Sequence, residues 1–159
     1  MTLATPAGAV IFETFPAEVI GIKDGDTIVV LREKTEIDIR LNGVDSPEKG
    51  QAFGTKAKQW TAMAAFGQMV TVKETSLDKY GRTVADVLLP DGKSLNQEIV
   101  RAGFAWWFRR YSEDQVLKQL EQKAREIKCG LWFDKDPIPP WEWRRAKAAG
   151  KEITQESGQ

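Results

Sequence analysis

Histidine is absent from all 159 residues of the chain. That removes the commonest general base, the serine–histidine and cysteine–histidine nucleophile systems, and histidine-built zinc sites. Cysteine occurs once, at Cys129, so no internal disulfide can form. Nothing around it marks a catalytic thiol, and it reads as a small, buried or partly buried side chain. A metal site in such a chain must be made of oxygen ligands, which suits calcium or magnesium better than zinc. No apolar run is long enough to span a membrane. The first lysine is Lys23, so the mildly apolar N-terminus lacks the basic segment of an intact signal peptide. An excess of charge is missing too. The 23 basic residues balance 23 acidic ones, and the total points to no nucleic acid or lipid surface, although local patches still steer ligands.

What is present fits one domain with a single core, at this length and with 42% hydrophobic residues. Strand-like runs fill the first half: "AEVIGI", "DTIVVL", "EIDIRLNGV", "MVTVKE" and "RTVADVLL". Turn pairs punctuate them at Asp24-Gly25, Tyr80-Gly81 and Asp91-Gly92. Between the third and fourth runs, the alanine-rich "GTKAKQWTAMAAFG" predicts a helix. The second half is helical in pattern. "SLNQEIVRAG" carries Ser94 and Gln97 at capping-box spacing and stops at Gly103. "SEDQVLKQLEQKAREIKCG" places acids at its start and bases at its end, with Val116, Leu117, Leu120, Ala124 and Ile127 as an apolar core stripe. Pro137, Pro139 and Pro140 then predict an extended crossing of the surface, pinned by Trp141 and Trp143. The expected fold is α+β and mainly β, a five-stranded barrel of the OB type with three helices. Residues 1–16 form an N-terminal extension, 17–133 the domain, 134–149 a Pro/Trp-rich extension packed on it, and 150–159 a disordered tail.

Three segments concentrate charge where a barrel wall should be apolar. In "KDGDTIVVL", Asp26 opens the strand after the Asp24-Gly25 turn and shares a face with Ile28 and Val30. A carboxylate there needs a partner, unless it lies at the wet edge of an ordinary turn. In "IRLNGVDSPE", Arg40 and Asp45 fall on opposite faces of a regular strand. They meet only if the strand ends or bulges near Gly43. Asp45, Ser46 and Glu48 read equally well as caps of the following helix, which leaves Arg40 unexplained. In "LDKYGR", Lys79 and Tyr80 sit at a hairpin tip and Arg82 enters the next strand. Each fragment alone has a plain structural reading. Jointly they supply two acids for a hard cation, two arginines shaped for phosphate, and a leftover glutamate as a base where histidine is missing.

The elements "DGDT", "RLNGVDSPE", "DKYGR" and the "GLW" after the last long helix resemble staphylococcal nuclease and its thermonuclease relatives, in the same order across residues 17–133. The "PPWEWR" tail resembles that of bacterial members. The resemblance implies calcium-dependent hydrolysis of DNA and RNA. It implies calcium on Asp26, Asp45 and the carbonyl of Ser46, with Glu48 as general base and Arg40 and Arg82 as the catalytic arginines. Lys79 and Tyr80 match residues lining the nucleotide's phosphate pocket. Tyr111, with Trp107, stands in "AWWFRRYSED" where the family has a tyrosine-rich segment that packs on the base. Ser46 replaces a threonine, and only Lys49 enriches the loop before the helix. Further expectations are cleavage on the 5′ side to leave 3′-phosphates, a preference for single strands, a monomer, no membrane partner, and a secreted or periplasmic location. Two rivals predict no catalysis: a nuclease-like domain kept only for binding, and an OB-type single-strand binder with structural acids. The first should lack metal acids or arginines, and the second should be basic with more exposed aromatics on its strands.

Overall fold

The structure is a computed structural model that describes Gly8 and residues 11–153. In chain order its elements are β1 (Thr14–Asp24), β2 (Thr27–Arg32), β3 (Thr35–Leu41), β4 (Val44–Asp45), α1 (Gly54–Ala65), β5 (Met69–Leu77), β6 (Thr83–Leu88), α2 (Leu95–Arg101), β7 (Trp106–Trp107), α3 (Gln115–Glu126) and α4 (Pro140–Ala148), with a short 3-10 turn at Gly130–Phe133. Five strands close a barrel in the order β1-β2-β3-β6-β5, and β5 returns to β1. Alternation drives this. Phe15, Ala17 and Val19 of β1, Ile28 and Val30 of β2, and Ile39 and Leu41 of β3 point inward, facing Val70, Val72, Ala85 and Val87. Among the described residues, only β3 and β6 pair in parallel. That geometry demands a crossover, which the chain makes through β4, α1 and β5. The expected five-stranded OB-type barrel is present.

The helices depart from expectation in two places. In α3, Leu117 and Ala124 are buried, but Val116 and Ile127 are exposed. They lie on the first turn and at the C-cap of the helix. The larger correction concerns the prolines. Residues 137–139 form no regular secondary structure, and Pro140 then starts α4, a fourth helix where three were expected. The first helical position needs no amide hydrogen, and proline's fixed φ suits it. Of the expected tail, residues 154–159 lie outside the described residues, as do 1–7, 9 and 10 of the N-terminal extension. No helix among the described residues is long and apolar enough to cross a membrane.

Candidate active site

Asp26 is held by the turn before it. Thr61 of α1 donates its hydroxyl to the Gly25 carbonyl at 2.6 Å. A Cβ on Gly25 would lie 2.9 Å from the Ala57 side chain and 3.0 Å from that of Ser46, so only glycine lets the turn tuck between α1 and the Ser46 loop. The Asp26 carboxylate, 6% exposed, accepts hydrogen bonds from the Thr27 hydroxyl (2.9 Å) and the Ser46 amide (2.8 Å). It is therefore an internal group rather than the wet edge of a turn.

β3 ends at Leu41, and the chain reverses at Asn42-Gly43 with Gly43 at φ +76°. That is the break Arg40 and Asp45 require to meet. β4 then pairs antiparallel with β7, Asp45 opposite Trp106. The Arg40 guanidinium donates to the Leu41 and Val44 carbonyls at 2.8 and 2.7 Å, fixing the reversal. Its other terminal nitrogen lies 3.3 Å from Asp45 Oδ1 and 3.4 Å from Asp26 Oδ2. The capping reading of the acids fails: α1 begins at Gly54, and its N-cap, Phe53, makes no side-chain cap bond. Gln51 organises the intervening loop. Its carbonyl oxygen accepts from the Glu48 amide at 3.0 Å, and its NH2 donates to the Ile138 carbonyl at 2.8 Å.

A residue the sequence reading did not assign completes the cluster. Arg144, from α4, donates from its two terminal nitrogens to both oxygens of Asp45, at 3.1 and 2.7 Å, and to Glu48 Oε1 at 2.6 Å. Its usable signal was helical spacing: on a helix opened by Pro140, Trp141 and Arg144 share a face. Burial raises the Asp45 carboxyl to about 6, opposed by the Arg144 hydrogen bond and reinforced by neighbouring Asp26. Asp24 is raised as well, by burial and then by Asp26 and Glu48.

The Asp26, Asp45 and Ser46 set fits a hard cation. It offers oxygen donors only, and its two nearby buried carboxylates feel each other's charge. The Ser46 hydroxyl oxygen beside them is buried without a hydrogen-bond partner. Among the described residues no three histidine, cysteine or acidic side chains converge as a metal cage. A cation here would rest on two carboxylates, a carbonyl and water.

Arg82, Lys79 and Tyr80 lie beside this cluster rather than in it. Thr83, next to Arg82, pairs with Ile39, next to Arg40, so the barrel register brings the two arginines to adjoining strands. Asp78 takes the Arg82 Nε at 2.6 Å, and its other oxygen accepts the Tyr80 and Arg82 amides at 2.9 Å. Both terminal nitrogens of Arg82 are left without a hydrogen-bond partner among the described residues. Tyr80 is exposed, with Lys79 and Arg82 over its ring at 5.0 and 5.4 Å. Tyr111 is exposed and meets Phe108 edge-on at 4.8 Å. Trp107 is half-buried, its amide donating to Glu121 at 2.7 Å.

The sequence pattern of the family described as staphylococcal nuclease homologue matches residues 38–134. An uncharacterized endonuclease of Escherichia coli O157:H7 is 43% identical over 129 residues, 81% of this chain and 84% of the relative. A micrococcal nuclease of Shigella flexneri is 42% identical over 142 residues, 83% and 82% of the two chains. The staphylococcal-like nuclease CAN1 of Arabidopsis thaliana is 35% identical over 112 residues, 70% of this chain but 34% of that longer protein.

Proposed function

We propose, from the premise that this chain belongs to the staphylococcal nuclease homologue family and is a nuclease, that it hydrolyses DNA and RNA phosphodiesters with calcium, on the 5′ side, leaving 3′-phosphates. The observation that carries this reading is the convergence of Asp26 and Asp45 on Arg40, with Glu48 joined to Asp45 through Arg144, in a protein without histidine. Calcium bound by Asp26 and Asp45 would supply a fixed positive charge against a non-bridging phosphate oxygen. Glu48 takes the proton of the attacking water, whose oxygen bonds to phosphorus as the bond to the 5′-oxygen breaks. Arg40 and the free terminal nitrogens of Arg82 meet the charge that grows on the phosphoryl oxygens and the leaving group. A permanently charged guanidinium serves here by donating hydrogen bonds rather than by giving up its proton, and the departing 5′-oxygen takes its proton from solvent water to leave as the 5′-hydroxyl. Lys79 and Tyr80 line the phosphate pocket, and Tyr111 offers an exposed ring to a splayed base, which favours single strands over duplex.

The test compares cleavage of single-stranded DNA and RNA with calcium and with a chelator, beside Glu48→Ala and Arg82→Ala. Cleavage should stop with chelator, and each variant should lose about a hundredfold or more in turnover. Chelator-insensitive cleavage, or full activity in both variants, overturns the mechanism. Products without 3′-phosphate ends overturn the bond polarity alone.

A further inference from the structure

We propose that Arg144, on the C-terminal helix beyond residues 38–134 that the family pattern matches, is a positioning residue of the hydrolytic site, tying the Asp45 carboxylate to Glu48. The inference rests on the roles given above to those two acids. Three observations carry it.

First, the geometry is specific. One guanidinium spans both Asp45 oxygens and one oxygen of Glu48, all at 3.1 Å or less. Among the described residues it is the only hydrogen-bond donor to the Glu48 carboxylate, so the proposed base takes its direction from Arg144 alone. Second, Arg144 makes the closer contacts to Asp45. It donates to Oδ1 at 3.1 Å and to Oδ2 at 2.7 Å, whereas Arg40 reaches Oδ1 alone, at 3.3 Å, from a nitrogen 3.4 Å from Asp26. Arg144 thus orients the carboxylate through both of its oxygens. Carboxylates at metal-dependent sites commonly depend on such an outer partner.

Third, the arm that carries Arg144 is anchored to the same short sheet that carries Asp45. Trp141, one turn before Arg144, stacks on Phe108 (5.4 Å between centroids, 9° between planes) and meets Trp106 edge-on at 5.6 Å. Trp106 is the register partner of Asp45. Backbone pairing, ring contact, one helical turn and a salt bridge make a closed circuit from Asp45 back to Asp45. A second tie runs from the Glu48 amide through Gln51 to the Ile138 carbonyl, just before the helix. An exposed arginine that happened to find an acid would have neither tie.

The experiment measures kcat and KM on a single-stranded oligonucleotide with calcium for wild type, Arg144→Ala, Arg144→Lys and Arg145→Ala. It adds millimolar guanidinium as a rescue arm. Arg144→Ala should lose about 10- to 100-fold in kcat with KM little changed. Guanidinium should restore part of that loss. Arg144→Lys should recover little, because an ammonium cannot bridge the two acids. Arg145, exposed on the same helix, should tolerate alanine. A double-mutant cycle in thermal stability, Arg144→Ala against Glu48→Gln, should show the pair coupled. Wild-type kcat in Arg144→Ala, a rise in KM alone, or additive melting shifts overturns the proposal and leaves the nuclease reading intact. A wild type without calcium-dependent cleavage overturns that reading and this inference with it.

Discussion

Single residues in this protein are set by what a buried charge demands. Arg40 and Asp45 are nearly enclosed, with side chains 13% and 1% exposed, and their burial is tolerable because Arg40 faces Asp26 and Asp45 while Asp45 is also held by Arg144. Asp78 shows the same logic at the surface. Partial burial pushes its pKa up, but the Arg82 amide, the Arg82 guanidinium and the Tyr80 amide together hold it below the ordinary 3.8. The folded protein therefore binds that proton less tightly than the unfolded chain. The stability gained is fully present above about pH 4 and is lost as the pH falls through the lower folded value. Asp78→Asn should accordingly lower the melting temperature at pH 7 by a few degrees, about 1 kcal/mol. The gap from wild type should close below pH 4. A gap that persists or widens in acid, by calorimetry, would refute the assignment. At this scale the sequence was informative: Asp26, Arg40, Asp45 and Glu48 were each conspicuous as charges inside apolar or turn-forming runs. Asp78 was inconspicuous because an acid in a hairpin turn needs no special explanation.

Elements place those residues. The short β4–β7 pair sets Asp45 opposite Trp106, and no periodicity announces a two-residue strand. α4 departs from the expected extended segment for a physical reason. Three prolines in four positions argue against helix, yet a proline at the first helical position favours it, and only the docked tryptophan decides. Trp141 should then be the element's anchor. Trp141→Ala removes two aromatic pairs, about 1–2 kcal/mol. It should speed hydrogen exchange across residues 140–148 while β1, β2 and β3 stay protected. Exchange that rises equally in the barrel would mean that α4 has no separate anchorage.

At the scale of the whole molecule, a neutral total charge conceals a site in which acids outnumber their partners. Asp24, Asp26, Asp45 and Glu48 face Arg40, Arg144 and the more distant Lys58. A cation that binds only the folded protein must stabilise it by mass action. Calcium at a hundred times its dissociation constant should add about 2.7 kcal/mol, or roughly 5–10 °C in melting temperature for a chain of this size. Asp26→Asn and Asp45→Asn should each abolish the shift. A shift that survives both substitutions in scanning calorimetry would place the cation elsewhere.

The sequence by itself determined the barrel, because inward alternation and turn residues are local signals that survive without context. It also determined the kinds of chemistry open to the protein, because the absence of histidine and the order of "DGDT", "RLNGVDSPE" and "DKYGR" are facts of composition and spacing. Tertiary structure alone decided that the acids do not cap α1, that Arg82 is tethered to Asp78, and that Arg144 reaches Asp45 across 99 positions of chain. Contacts of that kind depend on how separate elements dock, and docking depends on ring packing at Trp106 and Trp141 that no local pattern encodes.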